Sequence, residues 1–157
     1  MPIRGNTHRM ERKRRTVFVC IGTPRIVGDS LGPLVGDKLK ERNVNAFVYG
    51  TGRRPITALN LHGYRKMLDT YHRGDTIVAI DATMGSTEDV GKLKIAEGGL
   101  RPAGAFRKNA GRLGDVGIMA IVGERDGDML LQLKTADPAF IGKLADDVVN
   151  LLISVGY

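Results

Sequence analysis

Apolar and polar positions recur along the chain with two periods. Residues 16–22, Thr-Val-Phe-Val-Cys-Ile-Gly, are an unbroken β-branched and apolar run, the pattern of a strand buried on both faces. Thr23 to Asp29 reads as a loop. From Ser30 to Arg42 the apolar residues Leu31, Leu34, Val35 and Leu39 mark one helical face, with Asp29 or Ser30 placed to cap it and Pro33 tolerated in the first turn. Ala46 to Tyr49 reads as a short strand ended by Gly50 and Gly52. Pro55 to about Tyr71 reads as a helix, apolar at Leu59, Leu61 and Leu68, with an interruption at Gly63. Thr76 to Ile80 is a third buried strand, closed by Asp81. Lys92 to Ala96 alternates like a half-exposed strand, and residues 97–115, rich in Gly, Arg and Lys, read as a long loop. Val116 to Val122 is again a buried strand, and 128–134 a short helix. Asp137 caps a final helix opening at Pro138, whose stripe is Ile141, Leu144, Ala145, Val148 and Leu152.

Buried strands alternating with amphipathic helices predict an α/β sandwich of three layers around a mainly parallel twisted sheet. Residues 16–157 form one domain on this reading, and residues 1–15 a flexible basic tail. Five of the seven net positive charges lie in that tail, so the body is close to neutral and is not a basic DNA-binding domain. Contact of the tail with nucleic acid is the alternative to a solvated terminus. The single cysteine, Cys20, excludes an internal disulfide and a cysteine-based zinc cluster, and fits a cytoplasmic protein. No apolar segment is long enough to span a membrane, and none follows the basic N-terminus as a secretory signal would require. No heptad pattern announces an oligomer.

In a parallel sheet, ligands collect at the carboxyl ends of the strands. Two carboxylates stand there, Asp29 after the first strand and Asp81 after the third. If those strands are neighbours, both acids face one crevice. A close pair of carboxylates splits its pKa values, so that one activates water and the other protonates a leaving group. The same pair is suited to a divalent metal. The plain structural roles are helix capping for Asp29 and an Asx-type turn for Asp81. His62 is the one histidine near the crevice and otherwise reads as a helix-surface residue, while His72 ends its helix, where a cation favours the dipole. Glycines 22, 28 and 32 fit neither nucleotide-binding spacing, and no GxSxG elbow is present, so no cofactor motif emerges.

The segment Cys20-Ile21-Gly22-Thr23, followed by Gly28-Asp29-Ser30-Leu31-Gly32-Pro33-Leu34-Val35-Gly36, resembles the YyaC-like sporulation proteins of endospore-forming bacteria. Shorter matches follow in order at Tyr49-Gly50-Thr51, Ala58-Leu59-Asn60-Leu61, Ala79-Ile80-Asp81-Ala82, Lys92, Gly98, Pro102-Ala103-Gly104, Lys108 and Gly114-Asp115. The resemblance covers roughly residues 16–153. It implies kinship with the germination protease of spores and with hydrogenase maturation endopeptidases, whose shared fold is a phosphorylase/hydrolase-like sandwich. By that resemblance Asp29 and Asp81 form a two-aspartate catalytic pair.

The resemblance thus implies a sporulation- or germination-associated peptidase acting on a protein or peptide substrate. Thr23, Ser30, Thr51, Asn60, Lys108 and Asp115 are the expected substrate-binding residues. Two alternatives stand beside it. Pro24 and Ile26 replace an acidic and a hydroxyl residue common in the family, and Thr57 replaces a histidine, which favours a non-catalytic binding protein on a protease fold. A metal-dependent processing peptidase needs a third ligand, for which His62 and Asp115 are the candidates.

Overall fold

The computed structural model describes residues 13–102 and 111–157. Five strands form one sheet: β1 (Thr16–Cys20), β2 (Phe47–Tyr49), β3 (Thr76–Gly85), β4 (Leu93–Glu97) and β5 (Val116–Glu124), in the order β2-β1-β3-β5-β4. All pairings are parallel except that of β4 with β5. Among the described residues, four α-helices surround the sheet: α1 (Leu31–Glu41), α2 (Leu61–Tyr71), α3 (Met129–Thr135) and α4 (Pro138–Ser154). The three-layer α/β expectation therefore holds.

The alternation of side chains across each strand builds two cores. Phe18, Cys20, Val78, Ile80, Ile118 and Ala120 pack against Leu31, Val35 and Leu39 of α1 and Ile141, Leu144 and Val148 of α4. Val17, Val19, Ile21 and Ala79 face the other way, onto Leu61 and Leu68 of α2. Being covered on both faces, β1 has no polar position after Thr16.

Three readings of the sequence are corrected. The helix expected from Pro55 begins at Leu61. Ile56 instead bridges to Ile21 in parallel, and its carbonyl accepts the Gly22 N–H at 2.9 Å. The apolar Leu59 consequently lies 98% exposed in the connection, and α2 runs through Gly63 without a break. Second, β3 continues to Gly85, because β5 pairs with it that far past a register shift at Thr83/Met84. Asp81 sits inside the strand and does not close it. Third, Arg15 is not tail. Its backbone N–H and guanidinium both bond the Asp75 carboxylate, and its carbonyl accepts the Thr76 N–H at 2.8 Å. The tail residues 1–12 lie outside the described residues. The long loop is pinned at its base, where Leu100 and Leu113 pair and are both buried.

Candidate active site

Strand order decides where the chemistry lies. From β1 the chain goes through α1 to β2 on one side, while from β3 it continues to β4 and β5 on the other. The switch point of this open sheet is therefore between β1 and β3, where α/β folds bind ligands beyond the strand carboxyl ends. Asp29 and Asp81 flank it.

Asp29 ends a 3-10 turn, Val27–Asp29, that joins the β1 loop to α1 and touches β3. It does not cap α1, which has no side-chain cap. Its Oδ2 accepts the Thr23 N–H at 3.1 Å, pulling the loop closed. Gly22 makes that closure feasible: its φ is +147°, and a Cβ there would lie 2.1 Å from the Asp29 carbonyl oxygen. Burial raises the Asp29 carboxyl above the usual carboxylate value, and the Thr23 N–H offsets this only in part.

Asp81 is 2% exposed. Cys20 aligns with Ile80, so Asp81 stands level with Ile21, one residue before Gly22. Strand alternation puts it on the face of Ala79, and its Oδ1 accepts the Ala82 N–H at 2.9 Å. Asp29 thus lies half-buried in the loop beyond β1, and Asp81 is buried within the adjacent strand β3.

The expected substrate-binding residues divide. Thr23 and Ser30 flank Asp29. Thr23 Oγ1 accepts the Arg25 N–H, and Ser30 Oγ donates to the Val27 carbonyl at 2.6 Å. Thr51 lies beyond β2, where its Oγ1 accepts the Arg54 N–H. Asn60 braces the Ile56 connection, accepting from Thr57 N and donating to the Pro55 carbonyl. Both therefore stand on the carboxyl side of the sheet. Asp115 does not join them. Its Oδ2 accepts the Ile77 N–H at 2.8 Å, at the amino ends of β3 and β5. Lys108 lies outside the described residues.

Among the described residues no third metal ligand joins the two acids. His62 is exposed on α2, and no group of three or more His, Cys, Asp or Glu among the described residues is arranged to hold a metal ion. These residues do not fit a three-ligand centre. No described helix is long and apolar enough to cross a membrane.

One polar cluster escaped the sequence reading. His72 does end α2, but it is buried and does not meet solvent. Its Nε2 lies 2.7 Å from the Tyr49 hydroxyl and its Nδ1 3.0 Å from Asp75 Oδ2. Its ring meets Phe47 and Tyr49 edge-on, and the Arg15 guanidinium lies 4.7 Å over the Phe47 ring. Burial disfavours the Asp75 charge, but the bonds from His72 and Arg15 outweigh it and hold the carboxyl below its usual value. The cluster ties together the start of β1, the edge strand β2 and the end of α2. Only the His72–Asp75 spacing is local; Tyr49 is 23 residues from His72 and Arg15 is 60 from Asp75.

The sequence pattern of the family described as "Protein of unknown function (DUF1256)" matches residues 4–151. The chain belongs to that family. The match extends into the basic segment as well as the folded body. A curated relative, "Uncharacterized protein YyaC" of Bacillus subtilis (strain 168), is 41% identical over 107 residues. That alignment takes in 68% of this chain and 52% of the relative, so the chain spans about half the length of the relative it matches. Two solved structures share the DUF1256 chain's fold. The [NiFe] hydrogenase maturation protease HybD from Thermococcus kodakarensis superimposes with a TM-score of 0.57 at 17% identity, covering 91% of this chain and 99% of HybD. The [NiFe] hydrogenase maturation protease HycI from Thermococcus kodakarensis KOD1 gives 0.52 at 18% identity, covering 92% and 96%. The fold is thus that of hydrogenase maturation proteases.

Proposed function

We propose that this protein is a sporulation- or germination-associated peptidase, with Asp29 and Asp81 as its acid pair. The observation that carries the reading is the position of both acids at the β1/β3 switch point of a fold shared with proteases. The pair divides the roles of acid and base between its members. Burial raises the Asp29 carboxyl, which favours it as the acid that donates to the leaving amine. Asp81 takes the proton of the water that attacks the scissile carbonyl. The carbon–nitrogen bond breaks as the new carbon–oxygen bond forms, and the two carboxyls exchange their protonation states. Thr23 positions the backbone of the bound segment beside Asp29. The resemblance to YyaC-like proteins points to small spore proteins as substrate.

The test is incubation of the purified protein with small proteins extracted from spores, with new termini read by mass spectrometry. The wild-type protein is expected to generate them. Asp29→Asn and Asp81→Asn should each lower the rate about 10²–10⁴-fold, the usual contribution of one general acid or base. Their circular dichroism should match that of the wild type. Undiminished cleavage by both variants, or none by the wild-type protein, overturns the reading and leaves a binding protein on a protease fold.

A further inference from the structure

We propose that the cavity between the β1–α1 loop and the start of α4 is a specificity subsite for one large apolar side chain of the polypeptide substrate. The proposal rests on the peptidase reading and extends it to substrate choice. The cavity has a volume of about 380 Å³, within the range of ligand pockets. Its walls are Pro24, Val27, Pro33, Leu34 and Pro138, with Gly142 on α4. It adjoins the loop that carries Asp29, because Val27 and Ser30 of its lining bracket that residue in the chain.

Two features point to an apolar occupant. The walls are mostly apolar, and each of the polar side chains among them already holds one partner. Ser30 Oγ donates to Val27, Asp37 Oδ1 accepts the Gly52 N–H at 3.1 Å, and Lys38 Nζ pairs with Asp146 at 2.7 Å. An acidic side chain entering there would lose water and meet the Asp37 carboxylate. The second feature is Gly142, the fifth residue of the long helix α4. Glycine is the least favourable residue in a helix interior after proline. Here no neighbour requires it, for a Cβ at Gly142 would have nothing within 4 Å. What its missing side chain preserves is the open volume of the cavity.

The test measures binding without cleavage. N-acetyl-leucine amide and N-acetyl-aspartate amide are titrated into the ¹⁵N-labelled full chain. The leucine amide should give saturable shifts at the amides of Leu34, Gly52 and Gly142, and the aspartate amide none. Gly142→Leu should weaken the leucine response about tenfold or more, the effect of a few methylenes in an apolar pocket. Equal responses to the two amides, shifts confined elsewhere, or an unchanged response in Gly142→Leu overturn the proposal. Should Gly142→Leu fail to fold, contacts between the leucine methyls and those of Val27 and Leu34 in the wild-type protein decide, and their absence overturns it. Loss of leucine binding alongside acid-dependent cleavage sinks the subsite alone. Leucine binding alongside cleavage by both acid variants sinks the catalytic pair alone.

Discussion

Replacing Gly36 with alanine should destabilise the protein by about 2 kcal/mol. Gly36 lies mid-way along α1, where the helix crosses the end of β2. A Cβ there would stand 2.0 Å from the Gly50 carbonyl oxygen, whereas ordinary contact begins at 3.4 Å. The obstacle is backbone and has no rotamer to escape into, so the helix or the Gly50 turn must retreat by about 1.4 Å, the difference of those two distances. Overpacking of this kind costs roughly 1–3 kcal/mol, and a backbone collision belongs at the upper end. Alanine recovers about 1 kcal/mol of helix propensity. The balance is a loss of about 2 kcal/mol, or a Tm lower by about 4–8 °C in a chain of this size. Gly142→Ala is the matched comparison. The same residue change, also within a helix, meets nothing within 4 Å. It should raise stability by up to about 1 kcal/mol. Thermal unfolding of the three proteins by circular dichroism reads both signs. A Gly36→Ala protein as stable as the wild type, or two variants shifting in the same direction, would refute the steric reasoning.

Two further outcomes follow from buried groups. The folded protein holds a proton on Asp29 more tightly than the unfolded chain, so its stability falls as pH rises from the ordinary value of 3.8 through the raised one. Asparagine still accepts the Thr23 N–H without the charge. Asp29→Asn should therefore unfold at higher urea concentration than the wild type at neutral pH, with the gap closing below the ordinary carboxylate value; a variant weaker at neutral pH contradicts this. Cys20 has no exposed surface, and burial, aided by the nearby Asp37 charge, pushes its thiol up. Dithionitrobenzoate should release no colour from the native protein until denaturant is added, and prompt release would show that the strand opens.

The elements most legible in the sequence are those whose pattern reports their own surroundings. The apolar run of β1 and the stripes of α1 and α4 declare which faces are covered, and the structure covers them. The Pro55–Asn60 segment misleads because leucine spacing is a local signal, while its fate is decided by Ile56 reaching Ile21. Asp81 likewise reads as a strand end because the apolar run stops there, yet strand length is set by the partner β5. Asp29 and Asp81 were singled out by position after buried runs. That they flank one switch point depends on strand order, which composition does not encode. His72 was read from its own helix alone, and its partners come from β2 and from the turn before β3.

The Arg15–Asp75–His72 cluster also separates the two ends of the sheet by kind of attachment. At the amino end, the Arg15–Asp75 ion pair, the hydrogen bonds of His72 and edge-on rings join three elements, and the start of β1 is among the parts they hold. At the carboxyl end, the connections carrying Asp29 and Ile56 are joined chiefly by main-chain bonds. A cut after Arg15 removes the guanidinium that spans Asp75 and Phe47. The first strand would then enter the sheet without its anchor, and the disturbance would begin at the end of the molecule remote from the two aspartates.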